Sequence, residues 1–129
     1  RTARRHPLWI FCGEGGEPSG ETLLRAEGAE IVRTAMVAQG LDLAAVLKEL
    51  ARRGITRLMV EGGSRVAASF VAADLVDEIW LFQAPVTIGA DGIAPLNGME
   101  LAAVTGSPRY RIRASEVLGQ DTLTIYERA

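Results

Sequence analysis

Five consecutive residues, Glu61-Gly62-Gly63-Ser64-Arg65, carry the clearest chemical signal in this chain. They stand between a short apolar run, Leu58 to Val60, and a stretch of helical periodicity over residues 64–75. A helix start presents main-chain N–H groups with no partner inside the helix, and the helix dipole adds roughly half a positive charge there. Glycine has no Cβ, so at Gly62 and Gly63 an anion can approach the main chain closely. Ser64 offers a hydroxyl and Arg65 a cation at the same mouth, while Glu61 sits at the tip of the preceding strand. Phosphate is the usual guest of such an arrangement. A glycine pair can also serve only to turn the chain into a helix, and spacing alone leaves both readings open.

Other chemistries find little support. Asp74, Asp77 and Glu78 lie close in sequence, but a helix end and a strand start are ordinary places for solvated acids rather than a ligand set. Cys12 is the single cysteine, which excludes an internal disulfide framework and a multi-cysteine zinc site. It ends an apolar run and reads as a small core residue. His6, the one histidine, stands beside a proline and reads as a surface residue. Arg1, Arg4 and Arg5 read as a solvated lead-in. The glycine-rich stretch GEGGEPSG, residues 13–20, lacks the spacing of a dinucleotide fingerprint, and its two glutamates would repel a pyrophosphate. Thr105-Gly106-Ser107-Pro108 reads as a turn, not a nucleophile elbow.

The elements that must position the glycine pair follow from periodicity. LWIFC, residues 8–12, reads as a buried strand. A short helix capped by Ser19 and ended by Gly28 follows, with Leu23 and Leu24 on its buried face. Residues 29–35 form a second strand. Residues 41–54 are the plainest helix: Asp42 caps it, Leu43, Val46, Leu47 and Leu50 make one apolar stripe, Arg52 and Arg53 face the negative end of the dipole, and Gly54 stops it. Leu58 to Val60 lacks polar alternation, which suits a central strand buried on both faces. In the helix over 64–75, Val66, Phe70 and Ala73 are expected on the inner face. Residues 77–86 form a third apolar strand in which Trp80 and Phe82 are expected in the core. A long loop over 87–100 follows, and loops of that length in compact domains tend to be functional or mobile. Residues 109–117 alternate, with Tyr110, Ile112 and Ala114 on one face, and pair with 122–126 in a hairpin. The whole is an α/β chain with a mixed sheet, parallel in its centre, closed by a C-terminal antiparallel hairpin and flanked by helices.

With 129 residues, 48% hydrophobic and 23% charged, the chain can bury a core as one domain. A net charge of −2 argues against a general nucleic-acid binder. No apolar run reaches the ~18 residues of a membrane span, and the reduced single cysteine is consistent with the cytoplasm.

The stretch VEGGSRVAASFVAADLVDEIWLFQAPVTIGADG, residues 60–92, resembles the C-terminal reductase domain of the bifunctional deaminase/reductase of riboflavin biosynthesis. The shared features are Glu61-Gly62-Gly63 opening a helix, the Asp77-Glu78 pair at the next strand, Pro85 and Gly89. The helix at 41–55 and the terminal VLGQDTLTIYER also fit, so the resemblance covers nearly the whole chain. It implies a dihydrofolate-reductase-like fold that binds NADPH and reduces the ribosyl group of a phosphoribosylamino-pyrimidine to its ribityl form. By the same resemblance Gly62, Gly63, Ser64 and Arg65 would hold the cofactor diphosphate, and Glu61 would face the substrate. Analogy with dihydrofolate reductases extends to a cis peptide between Gly62 and Gly63. A full domain of this kind begins with a further strand and helix carrying an acidic residue near the ribose. No Asp or Glu precedes Glu14 here, so the chain is expected to be one N-terminally shortened reductase domain with that acid unassigned. A homodimer is expected as its assembly. Two other readings remain at this level: a related reductase acting on a pterin or another heterocycle, and a non-catalytic module kept for dimerisation or cofactor binding.

Overall fold

The computed structural model describes residues 5–15, 20–38, 40–89 and 91–129. Packing divides the chain into two compact units, Arg1–Leu58 and Met59–Ala129.

In the first unit, β1 (Leu8–Gly13) runs parallel to β2 (Ala29–Thr34), from Leu8 opposite Ala29 to Gly13 opposite Thr34. The short helix α1 (Glu21–Ala26) makes the crossover and ends where Gly28 takes a φ of 96°. Glu21 on α1 accepts from both Arg25 and Arg33, which ties the crossover to β2. A two-residue hairpin, β3 (Met36–Val37) with β4 (Gly40–Leu41), leads into α2 (Leu43–Arg52). Asp42 caps α2 as expected, its side chain accepting from the Ala45 N–H at 3.0 Å. Val46 and Leu50 are buried, and Gly54 ends the helix with φ at 87°. Arg53, the C-cap, forks onto Glu30 of β2 at 2.8 Å and stacks over the Trp9 ring at 4.8 Å. The helix end is thereby fastened to both parallel strands.

The second unit is a three-stranded antiparallel sheet in the order β5 (Glu78–Gln83), β7 (Asp121–Arg128), β6 (Tyr110–Leu118). On one face lie α3 (Ser64–Ala72) and the short α4 (Ala102–Thr105). Ala68 and Val71 of α3, Leu96, Val104 of α4, and Tyr110 and Tyr126 of the sheet form its core, with Ile79 and Leu81 packed against them. Arg128 closes the far end of α3, donating to Asp74 Oδ1 at 3.0 Å and to the carbonyls of Asp74 and Val76 at 2.9 Å.

Several expectations are corrected. Leu58, Met59 and Val60 form no sheet pairing among the described residues and are 43%, 76% and 41% exposed. A β-prone run becomes a strand only where a neighbour offers a ladder, so sequence preference alone was not enough. Trp80 and Phe82 are not core residues: alternation along β5 turns Ile79 and Leu81 inward and leaves these two more than half exposed. Leu23 and Leu24 are exposed, because the six-residue α1 is too short to lay a stripe against anything. On α3 the inner residues are Ala68, Phe70 and Val71, while Val66 and Ala73 face out. A bulge at Arg113 sets Ile112 opposite Tyr126 but Ala114 opposite Ile125. Ile112 and Ala114 therefore lie on opposite faces, against the simple alternation. Ser19, Arg1 and Arg4 lie outside the described residues; Arg5 and His6 are exposed.

Candidate functional site

Everything around the glycine pair belongs to the second unit. Met59 to Gly63 runs directly into α3, whose N-cap is Gly63 with φ at 67° and ψ at 133°. A side chain at that φ is strained whatever space surrounds it, so residue 63 has to be glycine for the turn alone. Residue 62 has no such requirement: its backbone lies outside the left-handed region. A Cβ built on either glycine meets no protein atom within 4 Å. The turn accounts for one glycine; the second leaves a bare peptide facing open space. The Gly62–Gly63 peptide is trans, as are all described peptides, so the cis bond implied by analogy is absent.

The helix start is uncapped. The first helical bond runs from Ala67 N–H to the Gly63 carbonyl at 3.1 Å, which leaves the N–H groups of Ser64, Arg65 and Val66 ahead of it. No side chain caps them, and no acidic residue stands in the first turn. Three donors and the positive end of the dipole thus point where Gly62 and Gly63 leave room.

A cleft of about 330 Å³ opens there, lined by Val60, Glu61, Gly62, Gly63, Ser64, Ala67, Ile93, Ala94 and Pro95. Four of the five residues singled out in the sequence thus come together on one wall. Arg65 does not line it; its side chain is exposed on the first turn of α3. Among the described residues Arg65 has no carboxylate partner, whereas every arginine of β2, β6, β7 and the end of α2 is ion-paired. Arg5, Lys48 and Arg57 are the other described cations without a partner. An unpaired cation at the positive end of a helix dipole is unfavourable by ~0.3–1 kcal/mol, a cost that a bound anion would reverse.

The rest of the lining comes from the 87–100 loop, which the sequence marked as a functional candidate without singling out any of its residues. Ile93, Ala94 and Pro95 come from the long loop after β5, thirty residues from the glycine pair. The loop is held by Leu96 in the core and by the Asn97 N–H donating to the Ser64 carbonyl at 3.2 Å. That single bond fastens the apolar wall to the first residue of the anion-ready helix.

The fold and this helix-start cleft define a class. Over 94% of its length the chain superposes on half of a pyrimidine reductase-like protein from Corynebacterium diphtheriae, with a TM-score of 0.69 at 16% identity. A deaminase/5-amino-6-(5-phosphoribosylamino)uracil reductase from Thermotoga maritima matches with a TM-score of 0.63 at 20% identity, over 94% of this chain and 37% of the other. The architecture is the dihydrofolate-reductase-like α/β fold.

The chain belongs to the RibD C-terminal domain family, whose model matches residues 4–124. It is 37% identical over 102 residues to a 2,5-diamino-6-ribosylamino-4(3H)-pyrimidinone 5′-phosphate reductase of Aquifex aeolicus, covering 78% of this chain and 44% of that protein. It is 31% identical over 121 residues to a reductase of the same name from Methanothermobacter thermautotrophicus, covering 93% and 55%. The riboflavin biosynthesis protein RibD of Bacillus amyloliquefaciens is 30% identical over 89% of this chain and 31% of its own. The chain thus spans about half, or less, of each of these relatives.

Proposed function

We propose that the chain is the cofactor-binding reductase part of a riboflavin-biosynthesis enzyme. The reaction is the NADPH-dependent reduction of the ribosylamino group of 5-amino-6-(5-phosphoribosylamino)uracil, or a closely related pyrimidinone phosphate, to its ribitylamino form. One observation carries this reading: a main chain without side-chain cover at Gly62 and Gly63, set against an uncapped helix start. The fit to a nicotinamide dinucleotide rests on that cradle, which a Cβ at residue 62 would fill without touching the protein.

Gly62 and Gly63 give the pyrophosphate room, and the N–H groups of Ser64, Arg65 and Val66 donate to it. The Ser64 hydroxyl adds a donor on the cleft side, and Arg65 supplies long-range attraction from outside the lining. Glu61 lies on the same wall, where its carboxylate can accept from the amino or hydroxyl groups of the substrate. The bound cofactor supplies the hydride. The protein's part is to orient the two ligands and exclude water from between them. Both compact units are read as parts of one reductase domain. No helix among the described residues is long and apolar enough to cross a membrane, and a cytoplasmic setting suits the free thiol of Cys12.

A homodimer belongs to the same proposal. Trp80 and Phe82, 52% and 60% exposed, share one face of β5, whose outer edge pairs with no described strand. Bare edges and apolar faces of this kind favour a second copy. A mass measurement across concentration tests it, and a monomer at high concentration removes it.

The function is tested by titrating the chain with NADPH and following cofactor oxidation with the phosphoribosylaminouracil. A longer form carrying upstream residues of the gene product is assayed alongside. Binding by both forms, with faster turnover by the longer one, is the expected result. Failure of either form to bind NADPH would refute the proposal.

A further inference from the structure

The cleft has two unlike walls. One is polar: Glu61, the glycine peptide, Ser64 and the helix start. The other is apolar: Ile93, Ala94 and Pro95 of the loop, with Val60 and Ala67 adding apolar surface beside the polar groups. Ile93 is 88% exposed, the highest value of any large hydrophobic residue described in this chain. At the lip of the cleft this isoleucine contributes nothing to the core, and its side chain is free to pack against a ligand that enters there.

The wall that carries it is built rather than loose. Two residues beyond Pro95 the loop is pinned by the Asn97–Ser64 bond, and Leu96 is buried in the core. Just before Ile93, the Gly92 N–H donates to the Gly89 carbonyl at 2.9 Å. Ile88 packs so closely over Gly92 that a Cβ there would lie 2.8 Å from Ile88 Cγ2. The segment around Ile93 is thus bounded by a closed turn on one side and an anchored residue on the other.

We propose that Ile93 is a positioning residue for the nicotinamide ring of the cofactor, packing against its face so that the ring is held by the apolar loop while the glycine wall takes the adjoining phosphates. This rests on the reading of the cleft as a nicotinamide-nucleotide site. Charge decides which end of the dinucleotide lies here. The adenosine end carries the 2′-phosphate, which the Glu61 carboxylate on the same wall would repel. The nicotinamide end carries an uncharged carboxamide whose NH₂ can donate to that carboxylate. The volume agrees: about 330 Å³ is at the small end of the ~300–1,000 Å³ typical of ligand pockets, room for a ring and its ribose phosphate rather than a whole dinucleotide.

The test compares wild type, Ile93→Ser and Ile93→Val by two titrations. NADPH is followed through the emission of its dihydronicotinamide ring, which brightens and shifts to the blue when the ring leaves water. The second ligand is 2′,5′-ADP, which has no nicotinamide. In Ile93→Ser the Kd for NADPH should rise about ten-fold and the blue shift should be lost, while the Kd for 2′,5′-ADP stays within about two-fold. Ile93→Val should behave as wild type. If Ile93→Ser leaves the NADPH emission and affinity unchanged, or weakens both ligands equally, Ile93 does not hold the ring and the inference fails while the cofactor site stands. If the wild type binds neither ligand, the cofactor reading fails and takes this inference with it.

Discussion

Substituting alanine at the two glycines separately should divide folding from ligand binding. At Gly62 the new methyl meets no protein atom within 4 Å, and the backbone there is outside the left-handed region. Gly→Ala at such a site narrows the unfolded ensemble and stabilises by ~0.4–1 kcal/mol. At Gly63, with φ at 67° and ψ at 133°, the same methyl costs ~1–3 kcal/mol in backbone strain although it too has space. Binding should follow a different order. A methyl at residue 62 occupies the volume through which the pyrophosphate reaches the helix start, and losing about two charge-assisted hydrogen bonds at ~1.5 kcal/mol each costs ~3 kcal/mol. That is roughly two orders of magnitude in Kd. Chemical denaturation without ligand and calorimetric titration with NADPH measure the two quantities on one preparation. Gly62→Ala should unfold at equal or higher denaturant than wild type and bind NADPH about 100-fold more weakly. A Gly62→Ala protein that binds NADPH as well as wild type would show that no anion approaches residue 62, and the site as drawn would be wrong. Gly63→Ala is the control in which stability and binding both fall.

Three further outcomes follow from particular contacts. The Tyr110 hydroxyl is buried with no hydrogen-bond partner among the described residues, so Tyr110→Phe should keep the ring packing and raise unfolding stability by ~1 kcal/mol; a clear loss would reveal a partner for the hydroxyl. Glu49 accepts from Arg52 and from Arg53, which hold its carboxyl down from the ordinary 4.5 to about 2. Because the folded value lies below the unfolded one, the stabilisation is complete above pH 4.5 and is lost as pH falls toward 2; a carboxyl titration by NMR with a midpoint at the ordinary value would rule out the fork. Arg65→Gln should leave thermal stability unchanged or slightly higher, since it removes a cation from the positive end of α3. It should also weaken NADPH binding by about five- to ten-fold at low salt and flatten the salt dependence, and titrations in a salt series that match wild type would refute its role.

The sequence carried those parts of the fold whose information is local. The helix from Asp42 to Gly54 has its cap, its stripe and its stop within thirteen residues, and each formed as its chemistry requires. The glycine pair is local in the same sense, because the uncapped helix start and the bare peptide arise from adjacent residues. What failed depended on partners elsewhere in the chain. Leu58 to Val60 has strand preference but no ladder among the described residues. Trp80 and Phe82 have core composition, yet alternation beside Ile79 and Leu81 turned them to the other sheet face, where on this edge strand they are more than half exposed. The bulge at Arg113 has no glycine to announce it, and the four-residue α4 and the two-residue strands β3 and β4 are shorter than any periodicity can register. Ile93 was not singled out for the same reason: it lines a cleft together with Gly62, thirty-one residues earlier, and nothing in GADGIAP says so.

That contrast bears on how the site works. A helix start attracts any small anion, phosphate and sulfate included, so the polar wall by itself carries little selectivity. The apolar wall cannot attract an anion, but it favours a ligand in which a flat ring follows the phosphate at the right distance. The Asn97–Ser64 bond joins the two walls at the point where the first helical residue meets the loop. On the proposed reading, selectivity for a nucleotide over free phosphate would come from the spacing between the walls, and a main-chain hydrogen bond rather than a side chain ties the loop to the helix start. Substituting Asn97 should therefore matter little, because its main-chain N–H is retained. Replacing it with proline deletes that donor and should release the wall, weakening NADPH while sparing inorganic phosphate. If Asn97→Pro weakened both ligands alike, the two walls would not be acting as separate parts, and selectivity would have to come from the glycine wall alone.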